Sequence, residues 1–250
     1  ALGNMSKYSV LAGFPTIGLC PVETRPLSDS ELEGISSVSP VALNKHGIET
    51  MQMNGFDVYQ NPISHVVDFE TLPSKSSLAL RSTIKWPFNN TNMFVTGFFG
   101  DLTKRKRPDL ATLAWSKFSQ GKSDVALWVH HSNHISMENS ELAKFSALGA
   151  HITNTNHGWS DKRMMEVLKS IDCLLHPSDV EAFGVLQIEA QAVGTPIISL
   201  ASEINYNLYP PLVVPSNTGN NRIVDEIVSR LEFLYSSWKN KDYEVNTSVG

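Results

Sequence analysis

Residues 174–199, which read LLHPSDVEAFGVLQIEAQAVGTPIIS, decide the fold of this 250-residue chain. The stretch opens with an apolar run, passes through a polar loop into a helical pattern, and closes with a second apolar run. Gly194 and Pro196 stand where the helical pattern stops, as is typical of helix ends. Short apolar runs on both sides of a helix indicate buried parallel strands. The stretch therefore predicts a strand–loop–helix–strand unit.

The same alternation extends over most of the chain. Strands are predicted at 16–21, 41–43, 93–98, 125–130, 151–153, 173–176 and 196–200. Helices are predicted at 28–37, 47–54, 140–148 and 183–193, and two more begin at 108 and 160. An apolar stripe from Val224 to Tyr235 predicts the last helix. Residues 72–92 are rich in Ser, Thr, Asn and Pro without a sustained period, which predicts a linker. From Met93 onward the pattern predicts a doubly wound α/β domain with a parallel sheet. We therefore divide the chain into domains at 1–88, including the linker, and 89–250.

Charge and cysteine content exclude several classes of protein. Twenty Lys and Arg against 25 Asp and Glu give a net charge of −5, so we expect no nucleic-acid partner. The chain has no apolar run of the ~20 residues that a membrane-spanning helix needs. Only two cysteines, Cys20 and Cys173, are present, which excludes a disulfide scaffold and fits a reducing compartment. We expect a cytoplasmic protein.

The loop at 176–182 follows a predicted strand and precedes a predicted helix. In open α/β sheets, ligands bind beyond the carboxyl ends of the strands. The backbone N–H groups that open the helix, at Phe183, Gly184, Val185 and Leu186, and the helix dipole together predict an anion site suited to phosphate. Gly184 would allow close approach to the backbone because it has no side chain.

Two glutamates in this stretch are candidate ligand-binding residues. Gln187 and Gln191 are four residues apart and predict the polar stripe of the helix, so Glu189, on the opposite side, is predicted to point inward. There it could be a structural acid paired with Arg or Lys, or it could accept hydrogen bonds from ligand hydroxyls. Glu181 lies just before the helix, where it could also serve only as a charge that complements the helix dipole.

These residues carry a resemblance to a known family. The order Pro-Ser, two residues, Glu181-Ala182-Phe183-Gly184, then Glu189-Ala190 and Gly-Thr-Pro resembles the signature of the family 4 retaining glycosyltransferases, which have the GT-B fold. Ala182 replaces the usual glycine of that signature. The segment MFVTGFFGDLTKRKRPDL at 93–110 resembles the first strand and loop of the family's nucleotide-binding domain. Weaker similarity at 18–28 and 41–68 is to the second half of the acceptor-side domain.

The resemblance implies a GT-B-like fold, with a Rossmann-like donor domain preceded by part of a second Rossmann-like domain whose first half is missing. It implies that Glu189 binds the ribose hydroxyls of a nucleotide sugar and Glu181 a hydroxyl of the sugar. Backbone N–H groups around Gly184 would bind the diphosphate or the sugar, and Lys106 would neutralise the diphosphate. Where the family has Gly-Arg, this chain has Gly100-Asp101. Arg105 or Lys104 would then supply the missing cation.

The resulting hypothesis is a glycosyltransferase that moves a hexose from a nucleotide diphosphate sugar to a glycan, lipid or other acceptor, with retention of configuration. Glu181 and Lys106 are its predicted catalytic residues, and we expect neither a metal nor a cofactor. The alternatives are a non-catalytic sugar-nucleotide-binding module, a truncated fragment of a transferase, or a nucleotide-sugar epimerase. The base, the sugar, the acceptor, a peripheral membrane contact and the oligomeric state stay open.

A group of histidines follows a predicted strand end. His130, His131 and His134 could line the ligand cleft or hold a metal, but no acidic or sulfur partner is nearby in sequence. Structural or surface roles are the preferred interpretation.

Overall fold

The computed structural model describes residues 16–22, 26–66, 72–132, 139–155, 159–201 and 212–240. These residues form two compact units. One contains the described residues up to Val66 together with Val180–Val185, and the other contains the remaining described residues.

The first unit is built on two parallel strands, β1 (Ile17–Cys20) and β2 (Ser39–Ala42). Helix α1 (Asp29–Ser36) connects them, and α2 (Lys45–Met53) follows β2. Side chains cap both helices: Ser28 and Glu31 form a capping box at α1, and Asn44 Oδ1 accepts from the backbone N–H of Gly47 at 2.8 Å. The core of this unit includes Cys20, Ile35, Ala42 and Met51, all fully buried.

The second unit contains a parallel sheet with helices on both faces. Its elements are α3 (Ser77–Thr83), β3 (Phe94–Phe99), α4 (Pro108–Phe118), β4 (Val125–Ser132), α5 (Asn139–Ala147), β5 (His151–Thr155), α6 (Asp161–Ser170), β6 (Cys173–His176), α7 (Val185–Ala192), β7 (Ile197–Leu200), β8 (Val213–Val214) and α8 (Asn220–Asn240). The six described strands run in the order β5-β4-β3-β6-β7-β8, and all the pairings are parallel. The predicted doubly wound α/β class is confirmed.

The alternation of side chains along β3 divides the core of the second unit between the two faces of its sheet. Phe94 and Phe98 pack in one cluster with residues of α4 and α8, whereas Val95 and Phe99 pack in another with residues of α6 and α7. The predicted apolar stripe of the last helix is confirmed, since Val224, Ile227, Leu231 and Leu234 are buried. This sheet is therefore covered on both sides, as parallel sheets usually are.

Residues 72–92 differ from the predicted linker because they contain helix α3 and form part of the second unit. Arg81 of α3 is buried and binds Asp172 at 2.6 Å, just before β6. The rings of Trp86 and Phe88 contact Trp128 edge-on, at centroid distances of 5.9 and 6.3 Å. The stretch has no helical apolar period because α3 is held by this buried ion pair more than by an apolar stripe.

Within the described residues, no helix is both long and apolar enough to span a bilayer.

Candidate functional site

The strand order of the second unit places a switch point between β3 and β6. From β3, the chain winds toward β4 and β5 in one direction, and from β6 toward β7 and β8 in the other. The crevice beyond the carboxyl ends of two such strands is the usual ligand site in doubly wound sheets. Gly100 follows β3 and His176 ends β6, so the two loops predicted to bind ligand both start at this crevice.

Gly100 and Lys106 lie against each other in the loop after β3. Gly100 has φ +133°, a conformation that favours glycine, and its N–H donates to the carbonyl of His130 at 2.9 Å. A Cβ at Gly100 would lie 3.8 Å from Cε of Lys106. A 3₁₀ turn at Lys104–Lys106 brings the lysine back over the strand end. The structure thus brings together two of the predicted site residues.

Arg105 connects the two loops of the crevice through its backbone. Its carbonyl accepts from the N–H of Asp179 at 2.9 Å and from Oγ of Ser178 at 3.3 Å. The Arg105 side chain is half-buried, whereas Lys104 is exposed. Of the two cations proposed to replace the missing arginine, Arg105 is thus the one at the junction of the loops.

Arg107 holds the same junction with its side chain, a role that the sequence did not indicate. Its guanidinium binds Asp109 at 2.9 Å, Asp179 at 2.9 Å and Oδ1 of Asn220 at 3.0 Å. These bonds tie the β3–α4 loop to the β6–α7 loop and to the start of α8. Arg107 also has φ +52°, a left-handed conformation that is uncommon outside glycine. No feature of the local sequence predicts partners that lie 72 and 113 residues away.

Helix α7 begins two residues later than predicted. The prediction of a start at Phe183 is wrong because Gly184 has φ +79° and ends the preceding loop in a left-handed conformation. Phe183 and Gly184 therefore precede the helix, and the first free N–H groups belong to Val185 and Leu186. The loop after β6 therefore leads into a helix N-terminus, as predicted, and Gly184 lies at the bend just before that helix.

Residues 180–185 group with the first unit. Nδ2 of Asn44 donates to the carbonyl of Ala182, and the ring of Phe183 packs edge-on against His65 with centroids 5.3 Å apart. Glu181 is buried, with 7% of its surface exposed. Glu181, Phe183, Gly184 and Val185 thus group with the first unit, and Gly100, Arg105, Lys106, Leu186 and Glu189 with the second.

The predicted orientation of α7 is wrong. The buried positions of this helix are Gln187 and Ala190, and Gln187 is fully buried. Val185, on the face opposite the two glutamines, is 38% exposed. Glu189 is half-buried. Two glutamines did not define the outer face because this short helix is apolar nearly all round.

Glu189 is nevertheless in an unusual environment. Burial raises the pKa of its carboxyl to about 7, and the nearby negative charge of Asp161 raises it further in the same direction. Within the described part of the chain, its carboxylate has no hydrogen bond or ion pair. The alternative of a structural acid paired with Arg or Lys therefore finds no support. An unpaired, partly desolvated carboxylate is well suited to accept hydrogen bonds from ligand hydroxyls.

His130 packs on Trp159 near the ends of β4 and β5. Their rings stack at 3.6 Å with an angle of 13° between them, and Nδ1 of His130 lies 3.0 Å from Oγ1 of Thr153. Burial, and then the neighbouring His131, lower the pKa of His130 to about 4, so it is neutral at physiological pH. In the ranges that the structure describes, no three His, Cys, Asp or Glu side chains are grouped to hold a metal. His134 lies outside these ranges.

These features define a class of α/β protein with a doubly wound parallel sheet, whose switch point lies between β3 and β6. The glycosyl transferases group 1 family matches residues 82–211, which is more than half of the chain. The chain belongs to this family.

Relatives and solved structures agree with that assignment. Uncharacterized glycosyltransferase 335 of Sulfolobus islandicus rod-shaped virus 1 is 23% identical over 256 residues, which cover 99% of this chain and 69% of the relative. Among solved structures, HepE of Anabaena in complex with UDP-glucose is 15% identical with a TM-score of 0.73, covering 96% of this chain and 67% of HepE. TarM of S. aureus in complex with UDP has a TM-score of 0.61 at 14% identity, over 93% of this chain and 48% of TarM. This chain thus spans about half to two thirds of these neighbours, and the likeness supports the GT-B fold.

Proposed function

We propose that this chain binds a nucleotide diphosphate sugar at the β3–β6 crevice and transfers its hexose to an acceptor with retention of configuration. The observation that carries the proposal is that the loop after β3, which holds Gly100 and Lys106, is hydrogen-bonded to Asp179 of the loop after β6 at the switch point of the sheet. The UDP-sugar complex of HepE and the UDP complex of TarM support the donor class.

The charges of the crevice fit a diphosphate leaving group. As the sugar C1–O bond breaks, negative charge grows on the phosphate oxygens. The ammonium group of Lys106 and the N–H groups at the start of α7 would stabilise that charge more in the transition state than in the ground state. This assigns Lys106 an electrostatic role and needs no metal.

The glutamates would bind the two ends of the donor. Glu189, ionised, would accept hydrogen bonds from the ribose hydroxyls. Glu181 would accept one from a hydroxyl of the sugar and so fix the reacting carbon. Phe183, Gly184, Val185 and Leu186 would supply backbone contacts, and Arg105 would supply the second cation near Gly100. In this assignment Asp101 has no role in binding the donor.

The acceptor is a glycan, a lipid or another hydroxyl compound, and the reaction is proposed to take place in the cytoplasm. GlcNAc occurs in the complex of a pneumococcal O-GlcNAc transferase, GtfA, which is 13% identical to this chain with a TM-score of 0.63. That neighbour supports a sugar-containing substrate.

The test is calorimetric titration of the chain with UDP-glucose, GDP-glucose and ADP-glucose. One of the three is expected to bind saturably. Glu189→Ala and Lys106→Ala are each expected to weaken that binding about tenfold or more, whereas Lys117→Ala, a lysine on α4 paired with Asp225, serves as the matched control. Absence of saturable binding by all three sugars would contradict the proposal for this chain.

A non-catalytic sugar-nucleotide-binding module is the second candidate. The observation that favours it is Asp101, an acid at the position where the resembled family has an arginine that would contact the diphosphate. This candidate predicts donor binding without transfer and without hydrolysis of the donor. Release of nucleoside diphosphate in the presence of acceptor glycans would eliminate it, and isomerised donor formed without an acceptor would instead identify an epimerase.

A further inference from the structure

The second unit contains a large cavity at the edge of the sheet opposite the crevice. Its volume is about 710 Å³, within the range of ligand pockets for small molecules. Three of its lining residues are Asp124, Asp172 and Pro196. They immediately precede β4, β6 and β7, respectively. The cavity therefore lies at the amino ends of the strands, whereas the donor crevice lies at the carboxyl ends.

The floor of the cavity is preformed and electrically neutral. Arg81 binds Asp172 at 2.6 Å and donates to the carbonyls of Ser170, Thr91 and Met93 at 2.7 to 2.9 Å. Asp172 also accepts from the N–H of Val95 at 2.7 Å. Because the two side chains are buried and hydrogen-bonded to each other and to the backbone, their charges offset each other.

The rim contains one ion pair and one further cation, Lys169. Lys239 forms an ion pair with Asp124, which accepts a second hydrogen bond from the hydroxyl of Tyr235 at 2.8 Å. Lys169 donates to the carbonyl of Pro73 at 2.7 Å. Helices α6 and α7 end at this side of the sheet. The partial negative charges at their C-termini offset the positive charge of Lys169. Such a lining does not select a phosphate or another anion.

Apolar surface and amide groups share the remaining lining. Trp238, half-buried on α8, and Leu78, 60% exposed on α3, offer apolar surface to the cavity. Asn90 and Asn92 are exposed and offer groups that both donate and accept hydrogen bonds. A neutral ligand with hydroxyl edges and C–H faces matches this combination.

We propose that the cavity at the amino edge of the sheet is a binding site for a neutral oligosaccharide, separate from the donor crevice. Its ring hydroxyls would bind the asparagine amides and the charged pairs at the rim, and its C–H faces would lie on Trp238 and Leu78. The proposal goes beyond the proposed function, since it holds whether or not the crevice binds a nucleotide sugar.

The test is saturation-transfer NMR on the full chain with three probes: maltotriose, cellotriose and chitotriose. At least one is expected to bind saturably, and an excess of UDP is expected not to displace it. Asn92→Ala and Leu78→Asp, at exposed positions that should leave the fold intact, are each expected to weaken that binding about tenfold, equivalent to about 1.4 kcal/mol. The matched control is Phe233→Ala, an exposed aromatic residue on α8 that does not line the cavity.

Three outcomes would overturn the proposal. These are absence of saturable binding by all three trisaccharides, full displacement of the bound sugar by UDP, and equal binding by the two cavity variants and the wild-type chain. Circular dichroism of each variant shows whether the fold is retained. Calorimetry with the nucleotide sugars reports separately on the crevice, so failure at one site is distinguishable from failure at the other.

Discussion

Glu189 is a half-buried carboxylate without a protein partner in the described ranges, and its titration makes the stability of the fold depend on pH. The raised pKa of about 7 means that the folded chain holds the proton more tightly than the unfolded chain, whose carboxyl has its usual value of 4.5. The contribution of Glu189 to stability is therefore most favourable below about pH 4.5 and declines as the pH rises toward 7.

We predict that Glu189→Gln stabilises the chain at pH 8 and has little effect at pH 5. The gain at pH 8 is about 1–2 kcal/mol after allowance for partial exposure of the side chain, and scanning calorimetry at both pH values measures it. Asp161→Asn is expected to lower the pKa of Glu189 and move the pH dependence to lower values. A loss of stability in Glu189→Gln at pH 8 would mean that the carboxylate has a partner.

The same titration predicts how donor binding responds to pH. If the ionised form accepts hydrogen bonds from ribose, the affinity for the nucleotide sugar increases as the pH rises through about 7. Calorimetric titration at pH 5.5, 7 and 8.5 would show it. The Glu189→Gln variant should bind weakly at all three values, and a pH-dependent affinity in that variant would assign the titration to another group.

Arg107 combines a strained backbone with a side chain that ties three elements together. Arg107→Ala is predicted to cost about 1–3 kcal/mol, because Asp109 and Asp179 lose charged hydrogen bonds. Arg107→Gly should cost about 1 kcal/mol less than Arg107→Ala, since glycine tolerates the left-handed φ of +52°. Urea unfolding of the two variants measures the difference, and an equal loss would mean that the backbone at 107 is not left-handed.

At the scale of elements, α7 shows what sequence periodicity can and cannot provide. The strand before it, the loop, the helix and the glycine stop were predicted from the sequence and are confirmed. The predicted orientation of α7 is wrong because Gln187, which was predicted to face solvent, is fully buried. Periodicity identifies a buried face only where polar and apolar residues separate, and in α7 they do not.

The buried amide of Gln187 is predicted to cost stability. Neither Nε2 nor Oε1 has a hydrogen-bond partner among the described residues, and an unsatisfied buried polar group costs about 1–3 kcal/mol. Gln187→Met keeps a similar volume and should raise the free energy of unfolding by about 1–2 kcal/mol in urea titrations. Gln191→Met, at a half-buried position of the same helix, should change it by less. Destabilisation of Gln187→Met would show that the amide is satisfied in solution.

Helix α3 was not predicted because the contact that orders it is distant in sequence. Arg81 and Asp172 are 91 residues apart, and no local pattern marks one as the partner of the other. We predict that Arg81→Met costs about 3–5 kcal/mol, because it leaves a buried carboxylate unpaired. Adding Asp172→Asn should recover part of that loss in urea unfolding. Additive losses would indicate that the two side chains do not act as a pair.

At the scale of the whole molecule, the sequence predicted β1, β2, α1 and α2 of the first unit as well as the fold class of the second unit. Its strands are short, apolar and regularly separated by helices, so the doubly wound class followed from the pattern alone. The partners of Arg107 and the unsatisfied amide of Gln187 depend on which loops and helix faces pack together. The spacing of residues along the chain does not determine that packing. The roles of Glu181, Glu189, Lys106 and Arg105 in binding a donor stay predictions.

The two units are expected to differ in local stability and in their response to ligand. The pair β1–β2 has strands of four residues, and Ile17 and Leu19 on β1 are 76% and 41% exposed, whereas β3 is buried along its whole length within six parallel strands. Amides of β1 and β2 should therefore exchange with deuterium faster than those of β3, β4 and β6.

Adding the nucleotide sugar that binds should slow exchange at Gly100, at residues 104–107 and at the start of α7. Exchange at Ile17–Cys20 serves as the internal reference, because the proposed donor contacts do not include β1. Mass spectrometry of peptides with and without ligand measures both regions in one sample. Protection confined to α3 and the end of α8 would place the ligand in the cavity at the amino edge of the sheet and contradict the assignment of the crevice.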